Sequence, residues 1–599
     1  MATFGRTKNM RRMTAAALCS LAGLTLNASA DLPPVLDRVP TDVQVVAAVK
    51  NIGASYARIK GLGTTLGMPA DEMAMMDEII AMPGLNKDGS MAFAVSAIKA
   101  DKGAEGQNSK PNVVMLAPVS DYKAFVTGLG ATGTDGVTKL TLKPEQGGRE
   151  YYAKDLGGGF AAIAQTSEEL ASFEGKAGNA EAHSKLVGKL GSAIGGDSDV
   201  FIVANVAQMQ DLIAESQKKM EEQGSAIAAM AGPQGEQLQN QMKIASQAMA
   251  AFGRDASVGI IGLGIGEKGV SIDMGAQFKE GTPSAAIFQS KGGAAGMLSR
   301  VPTTPYYFAF SMDTSAPGIK AFAQDMVRAG GAGQKTPGMT DVVLQQIPKL
   351  DGVAMVMGAS PGGIMGGILA NTVYYAKTSD PQSFVDSYKK IADDVNGKTI
   401  DGVTFKTTFA AGSSEIEGVK VDSWSMQMQP DPNNPAAMGI QQAQQMMYGM
   451  GGQPAGFLAK LDGGVVMTMS PSTPLMASAI KASKDGNGLA ADPLIKESIA
   501  NLPEGRTMEG YIGVKSILDA VTGLMAMMGA GGGYQTPASL APIVMGGTTT
   551  DGAMRLKTFV PATVMTAIGD FAKSMKPAEG EDEEEAPAPE DKSGKPPRF

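Results

Sequence analysis

Short apolar runs of strand length alternate with longer runs of helical period along this chain of 599 residues. Val43–Val49, Met91–Ile98, Val113–Pro118, Thr138–Leu142, Gly159–Gln165 and Val200–Asn205 predict strands. Val270, Ile272 and Met274 alternate with other residues, as do Met467 and Met469, which predicts strands with one buried face. Helical spacing of apolar positions predicts helices over Ile52–Leu66, Ala70–Ala81, Asp121–Leu129, Ser167–Glu174 and Val206–Gln223. Predicted strands that follow one another across a loop, such as Met91–Ile98 and Val113–Pro118, pair antiparallel. The pattern therefore predicts an α+β fold, a mixed and mostly antiparallel sheet with helices packed on one face.

The same pattern occurs twice. Val39-Pro40-Thr41 opens a strand and then a helix, and Val301-Pro302-Thr303 does the same. Val114 to Ala117, Ser120-Asp121 and Phe125-Val126 return at identical spacing as Val373 to Ala376, Ser379-Asp380 and Phe384-Val385. Asp135-Gly136-Val137-Thr138 returns as Asp401-Gly402-Val403-Thr404, and Val206 with Asp211 as Val514 with Asp519. Preserved order of several blocks is what duplication produces, so two tandem copies are expected, over 31–298 and 299–576. The offset between copies grows from 259 at Ser120/Ser379 to 306 at Lys154/Lys460, which places an insertion near 412–452, rich in Gln, Met and Gly. The first copy carries its own insertion near 215–252, of helical character and broken at Gly232-Pro233.

The two ends differ from this body. Arg6, Lys8, Arg11 and Arg12 precede an apolar Met13–Leu26, and Asn27-Ala28-Ser29-Ala30 supplies an A-x-A cleavage signal, so 1–30 is expected to be a signal peptide. The apolar run is shorter than the ~20 residues that span a bilayer, and no later segment reads as a transmembrane helix. Cleavage would remove Cys19, the single cysteine, and the product would carry no disulfide even in an oxidising compartment. Residues 577–599 hold eight acidic and three basic residues with almost no apolar ones, and are expected to be disordered. The net charge of −9, without a basic stripe, makes nucleic acid and anionic lipid poor partners.

Candidate chemistry is sparse. With one histidine, His183, and no cysteine after cleavage, thiol, metal and His-based triad routes lose their usual residues. His183 opens a predicted helix and is expected at the surface. Gly264-Ile265-Gly266-Glu267-Lys268-Gly269 matches G-x-G-x-x-G, but a strand-like sequence follows it where a dinucleotide site needs a helix, so a hairpin turning at Glu267-Lys268-Gly269 is expected. Three adjacent tyrosine pairs, Tyr151-Tyr152, Tyr306-Tyr307 and Tyr374-Tyr375, sit on predicted strands, where one member should face the core and the other the opposite side. The chain has 40 methionines. Thioethers bind Cu(I), and Met446, Met447 and Met450 are the candidate ligands, against the plainer role of filling a core poor in aromatics.

The segment Leu32-Pro33-Pro34-Val35-Leu36 with Val39-Pro40-Thr41-Asp42 resembles uncharacterised exported bacterial proteins that bear repeated α+β units. The resemblance covers 39–50 and 301–312 and implies no activity and no functional residue. The expected function is a non-enzymatic binding or structural role in the periplasm or cell envelope, without a cofactor, toward an envelope protein or a small molecule. A hydrolase using carboxylates or a serine without histidine, and methionine-based copper binding, are the alternatives. A cleft between the copies is the expected ligand site, with the helices over 206–252 as a partner face.

Overall fold

Runs such as Val-Val-Ala-Ala-Val in β1 (Val45–Val49) present apolar side chains to both sides of a strand. The first half continues with β2 (Met91–Ser96), β3 (Asn112–Pro118), β4 (Val137–Thr141), β5 (Glu150–Gly157), β6 (Phe160–Ala164), β7 (Val200–Asn205), β8 (Ala256–Gly266) and β9 (Gly269–Phe278). The second half has β10 (Tyr306–Asp313), β11 (Leu350–Gly358), β12 (Asn371–Thr378), β13 (Thr399–Ile400), β14 (Val403–Ile416) and β15 (Val419–Pro430). It closes with β16 (Ala455–Leu461), β17 (Gly464–Thr468), β18 (Met508–Ile512), β19 (Ile543–Thr550) and β20 (Ala553–Pro561). This computed structural model describes residues 32–575 except 69–76, 97–110, 132, 134–135, 142–149, 231–234, 291, 332–338, 361, 401, 434–436, 450–451 and 530–532. The expected signal peptide, the acidic tail and most of the helix expected over Ala70–Ala81 lie outside the described residues.

The strands join one 20-stranded sheet, and every pairing between them is antiparallel. Outward from β9 the first half runs β8, β7, β1, β2, β3, β6, β5, β4. Outward from β20 the second half runs β19, β18, β10, β11, β12, β17, β16, β15, β14, β13. The halves meet where β9 pairs with β20. Gly269, which opens β9, faces Pro561, and Ala553, which opens β20, faces Gln277.

The principal helices of the first half are α1 (Ile52–Thr65), α2 (Tyr122–Gly128), α3 (Ala180–Gly196), α4 (Gln210–Met230) and α5 (Gly235–Asp255). Those of the second are α6 (Pro381–Val395), α7 (Ala437–Tyr448), α8 (Thr473–Asp485), α9 (Val514–Met527) and α10 (Ala562–Ser574). On the back face, Val187 and Ile194 of α3 cover Leu116, Val203 and Ile260, and Met476 and Ile480 of α8 cover Val356, Val373 and Val466. Each such side chain, fully buried, stabilises by about 1.5–3 kcal/mol. The front face carries α2 through Phe125 and Val126, α6 through Val385, and α9 and α10 through Leu518 and Val564. Helices thus pack on both faces and not on one, because most strands are apolar on both sides. Matching Asx caps start α2 and α6: Asp121 accepts from the Ala124 amide at 3.1 Å and Asp380 from the Ser383 amide at 3.1 Å.

Two glycines let α3 lie close on the sheet. A β-carbon at Gly262 would stand 2.6 Å from Ile194, and one at Gly275 would stand 2.8 Å from the same side chain. The strand expected at Tyr151-Tyr152 is β5, which continues through Ala153-Lys154-Asp155 and pairs with β4 and β6. Residues 412–452, where an insertion was expected, hold the end of β14, β15 and α7; by pairing β15 takes the place of β4, and β14 with β13 extends the sheet beyond it. In the first half α4 and α5 form a helical hairpin between β7 and β8.

Candidate binding groove

The halves do not enclose an open cleft, because β9 and β20 join them strand to strand. On the back face at this joint lies a polar hollow of about 360 Å³ that includes Asp197, Asp199, Arg58 and Lys557. Its carboxylates are engaged. Asp199 pairs with Arg58 and accepts the Ile265 amide at 2.7 Å, and Asp197 pairs with Lys557 at 3.1 Å. Beside it the buried Asp273 takes a two-pronged ion pair from Arg555, with Nε 3.0 and 3.1 Å from its two oxygens. Forked pairing of this kind is the strong form of an ion pair. The joint hollow is a brace between halves, with its acids committed to neighbouring cations.

The glycine motif forms the tip of the β8–β9 hairpin, Gly266 facing Gly269, and this tip borders the joint hollow. His183 corrects the sequence expectation: it is 1% exposed, and its Nε2 bonds the Val39 carbonyl at 2.8 Å. Burial lowers its pKa below the ordinary value, against the raising effect of that carbonyl. The second half satisfies the matching carbonyl, that of Val301, with the backbone amide of Leu489 at 2.9 Å. The tyrosine pairs split as expected. Tyr152, Tyr306 and Tyr375 turn to the back-face core, while Tyr151 and Tyr307 line front-face hollows.

Met446 and Met447 lie on α7 with exposed side chains, and their carbonyls accept the amides of Ile368 and Leu369 at 3.1 and 2.8 Å; Met450 lies outside the described residues. Among the described residues no group of three or more His, Cys, Asp and Glu is placed to hold a metal. A serine and a lysine do meet: Lys349 donates to Ser383 at 2.6 Å, but its ammonium also pairs with Asp380 at 3.0 Å. A nucleophile-activating lysine must take the serine proton, and here the lysine is the donor.

The site with the most distinct chemistry is apolar. On the front face of the first half, α2 and the segment around Met82 and Leu85 overhang β2, β3 and β6 and leave a hollow of about 370 Å³. Met115, Phe93, Leu129, Leu140 and Ile163 line it, and among the described residues its polar contributors are Tyr151 and Gln165, with no charged side chain. The size and lining are those of a small-molecule pocket, which spans about 300–1,000 Å³ and is mostly apolar.

The second half shows the same place filled. Met115 faces Ile163 across β3–β6 as Tyr374 faces Met467 across β12–β17. Leu140 faces Tyr151 across β4–β5 as Trp424 faces Gly456 across β15–β16. Leu129 stands eight residues after the Asp121 cap, as Tyr388 stands eight after Asp380. So Tyr374, Trp424 and Tyr388 occupy the positions of Met115, Leu140 and Leu129. Tyr388 meets Trp424 edge-on at 6.0 Å, and they pack with Leu458, Phe384 and Met467. Burial pushes the Tyr388 hydroxyl up to about 12. Where the second half packs Tyr388 against Trp424, with Tyr374 at the Met115 position, the first leaves a cavity.

Neither protein-family models nor curated proteins nor solved structures yield a match to this chain. No helix among the described residues is long and apolar enough to cross a membrane.

Proposed function

We propose that this chain is an exported, non-enzymatic binding protein of the periplasm or cell envelope, built from two tandem copies of one α+β unit. Its first copy holds an apolar small molecule in the front-face hollow. The carrying observation is that hollow: 370 Å³, uncharged, and open at positions where the second half inserts Tyr374, Trp424 and Tyr388. Duplication is supported by the strand order. β8, β7, β1, β2, β3, β6 and β5 run outward in the first half as β19, β18, β10, β11, β12, β17 and β16 do in the second. The β9–β20 joint, whose register maps onto itself when β9 and β20 are exchanged, has the form of a two-fold interface. Export is supported by the basic, apolar and A-x-A segments of 1–30.

The test is binding of a neutral naphthylamine fluorophore, whose emission rises in apolar surroundings. The purified protein should bind it saturably. The variant Met115→Tyr/Leu140→Trp, which copies the filling of the second half, should lose at least tenfold in affinity while keeping its thermal midpoint. Equal binding by the variant, or none by the parent protein, contradicts the proposal.

A further inference from the structure

Direct cross-strand neighbours on the front face form one row that starts in the hollow and leaves it: Ile163, Met115, Phe93, Ala47, Ile202, Ile261, Met274 and Leu556. All eight are apolar. Three of the large ones stand open to solvent, Phe93 at 37%, Ile261 at 43% and Met274 at 41%, and Ile272 beside them at 41%. Isolated exposed apolar residues are ordinary, whereas a contiguous run on one sheet face marks a binding surface.

The corresponding row of the second half is closed. It reads Met467, Tyr374, Met355, Phe310, Gly510, Met545 and Thr558, and no member is exposed. The reason lies in one helix. α9 follows β18 and packs on β10, while α4, which follows β7, packs on α5 instead of on β1. The strip left bare has sides. α1 packs on β8, and α10 on α1 and β9, along one edge. At the other edge Phe252 of α5 comes within 3.7 Å of where a β-carbon at Gly259 would stand.

We infer that this strip holds a single long acyl chain, the tail of one lipid molecule, which runs from the hollow across β2, β1, β7, β8 and β9. The inference rests on the reading of the hollow as an apolar binding site. The dimensions suit a chain. Phe93 to Met274 crosses four strand spacings, about 19 Å, and one leaflet of a hydrocarbon core is about 15 Å deep. The row contains no ionisable side chain, so a headgroup stays outside it in water. The floor is recessed between helices and the protein has a net charge of −9, which suits one extracted molecule and not an anionic bilayer surface.

The experiment measures displacement of the naphthylamine probe by single-chain phosphocholine lipids of 8 and 16 carbons, below their micelle concentrations. It uses the parent protein and the variants Ile261→Glu and Met274→Glu. The expected result is at least tenfold tighter binding of the 16-carbon lipid, and a tenfold loss for that lipid in either variant with probe affinity unchanged. Should the charged variants fail to fold, Ile261→Ala/Met274→Ala should weaken the 16-carbon lipid about fivefold and leave the 8-carbon lipid unaffected. Equal affinity for both lipids, or 16-carbon binding indifferent to the variants, overturns the inference while probe binding upholds the hollow. Failure to bind the probe defeats the hollow itself. Co-sedimentation with phosphatidylcholine vesicles, without lipid remaining on the protein after separation, also overturns the inference.

Discussion

His183 illustrates how one half of the chain meets a local need with a group that the other half does not use. Val39 and Val301 occupy matching buried turns, and each carbonyl requires a donor. Nε2 must carry the hydrogen to donate to Val39, which leaves Nδ1 buried without a partner. The ring is therefore held neutral, with its pKa below 6.5 in the folded protein. An unfolded chain takes up the proton near 6.5. Stability from this group is thus complete above about pH 6.5 and declines as pH falls toward the lowered folded value. His183→Leu, which removes the donor to Val39, should cost about 1–3 kcal/mol at pH 7.5 through the orphaned carbonyl. The deficit should shrink at pH 5. Denaturant unfolding at both pH values checks this, and a pH-independent deficit would contradict it. The single imidazole was visible in the sequence. Its burial was not, because the contact with Val39 bridges 144 residues.

At the scale of elements, the β9–β20 joint decides whether the halves form one sheet. Asp273 and Arg555 lie on adjacent strands across it, with side chains 2% and 13% exposed. Removing one partner of a buried pair strands the other charge and costs about 3–5 kcal/mol, whereas replacing both with apolar groups is often neutral. Asp273→Ala should therefore lower unfolding stability by about that amount, and Asp273→Leu/Arg555→Met should recover most of it. Calorimetry of the three proteins distinguishes this from a surface pair, for which all changes would stay within about 1 kcal/mol. The hairpin β8–β9 was legible from the alternation at Val270, Ile272 and Met274, and so was its turn at Glu267-Lys268. The helix sides were not: alternation suggested one covered face, but Phe160–Ala164 is apolar at every position and is buried on both. The tyrosine pair pointed to β5, but not to its length, because Lys154, Asp155 and the glycines that follow look like a loop until β4 and β6 flank them.

For the whole molecule, the alternation of strand and helix along the chain announced an α+β fold with antiparallel pairing, whereas the order of the strands and the fusion of the halves into one sheet were not foreseeable from it. The site was invisible for the same reason. Ile163, Met115, Phe93, Ile202, Ile261 and Met274 are scattered through the sequence and become a row only through register. If the first half carries an apolar ligand where the second half carries its own aromatic side chains, native mass spectrometry of the protein recovered from its source cells should find a bound hydrophobic molecule. That molecule should be removed by organic extraction and be missing from the Met115→Tyr/Leu140→Trp variant recovered in the same way. A protein that carries no such molecule, or a variant that carries it equally, would rule out an apolar ligand in the hollow.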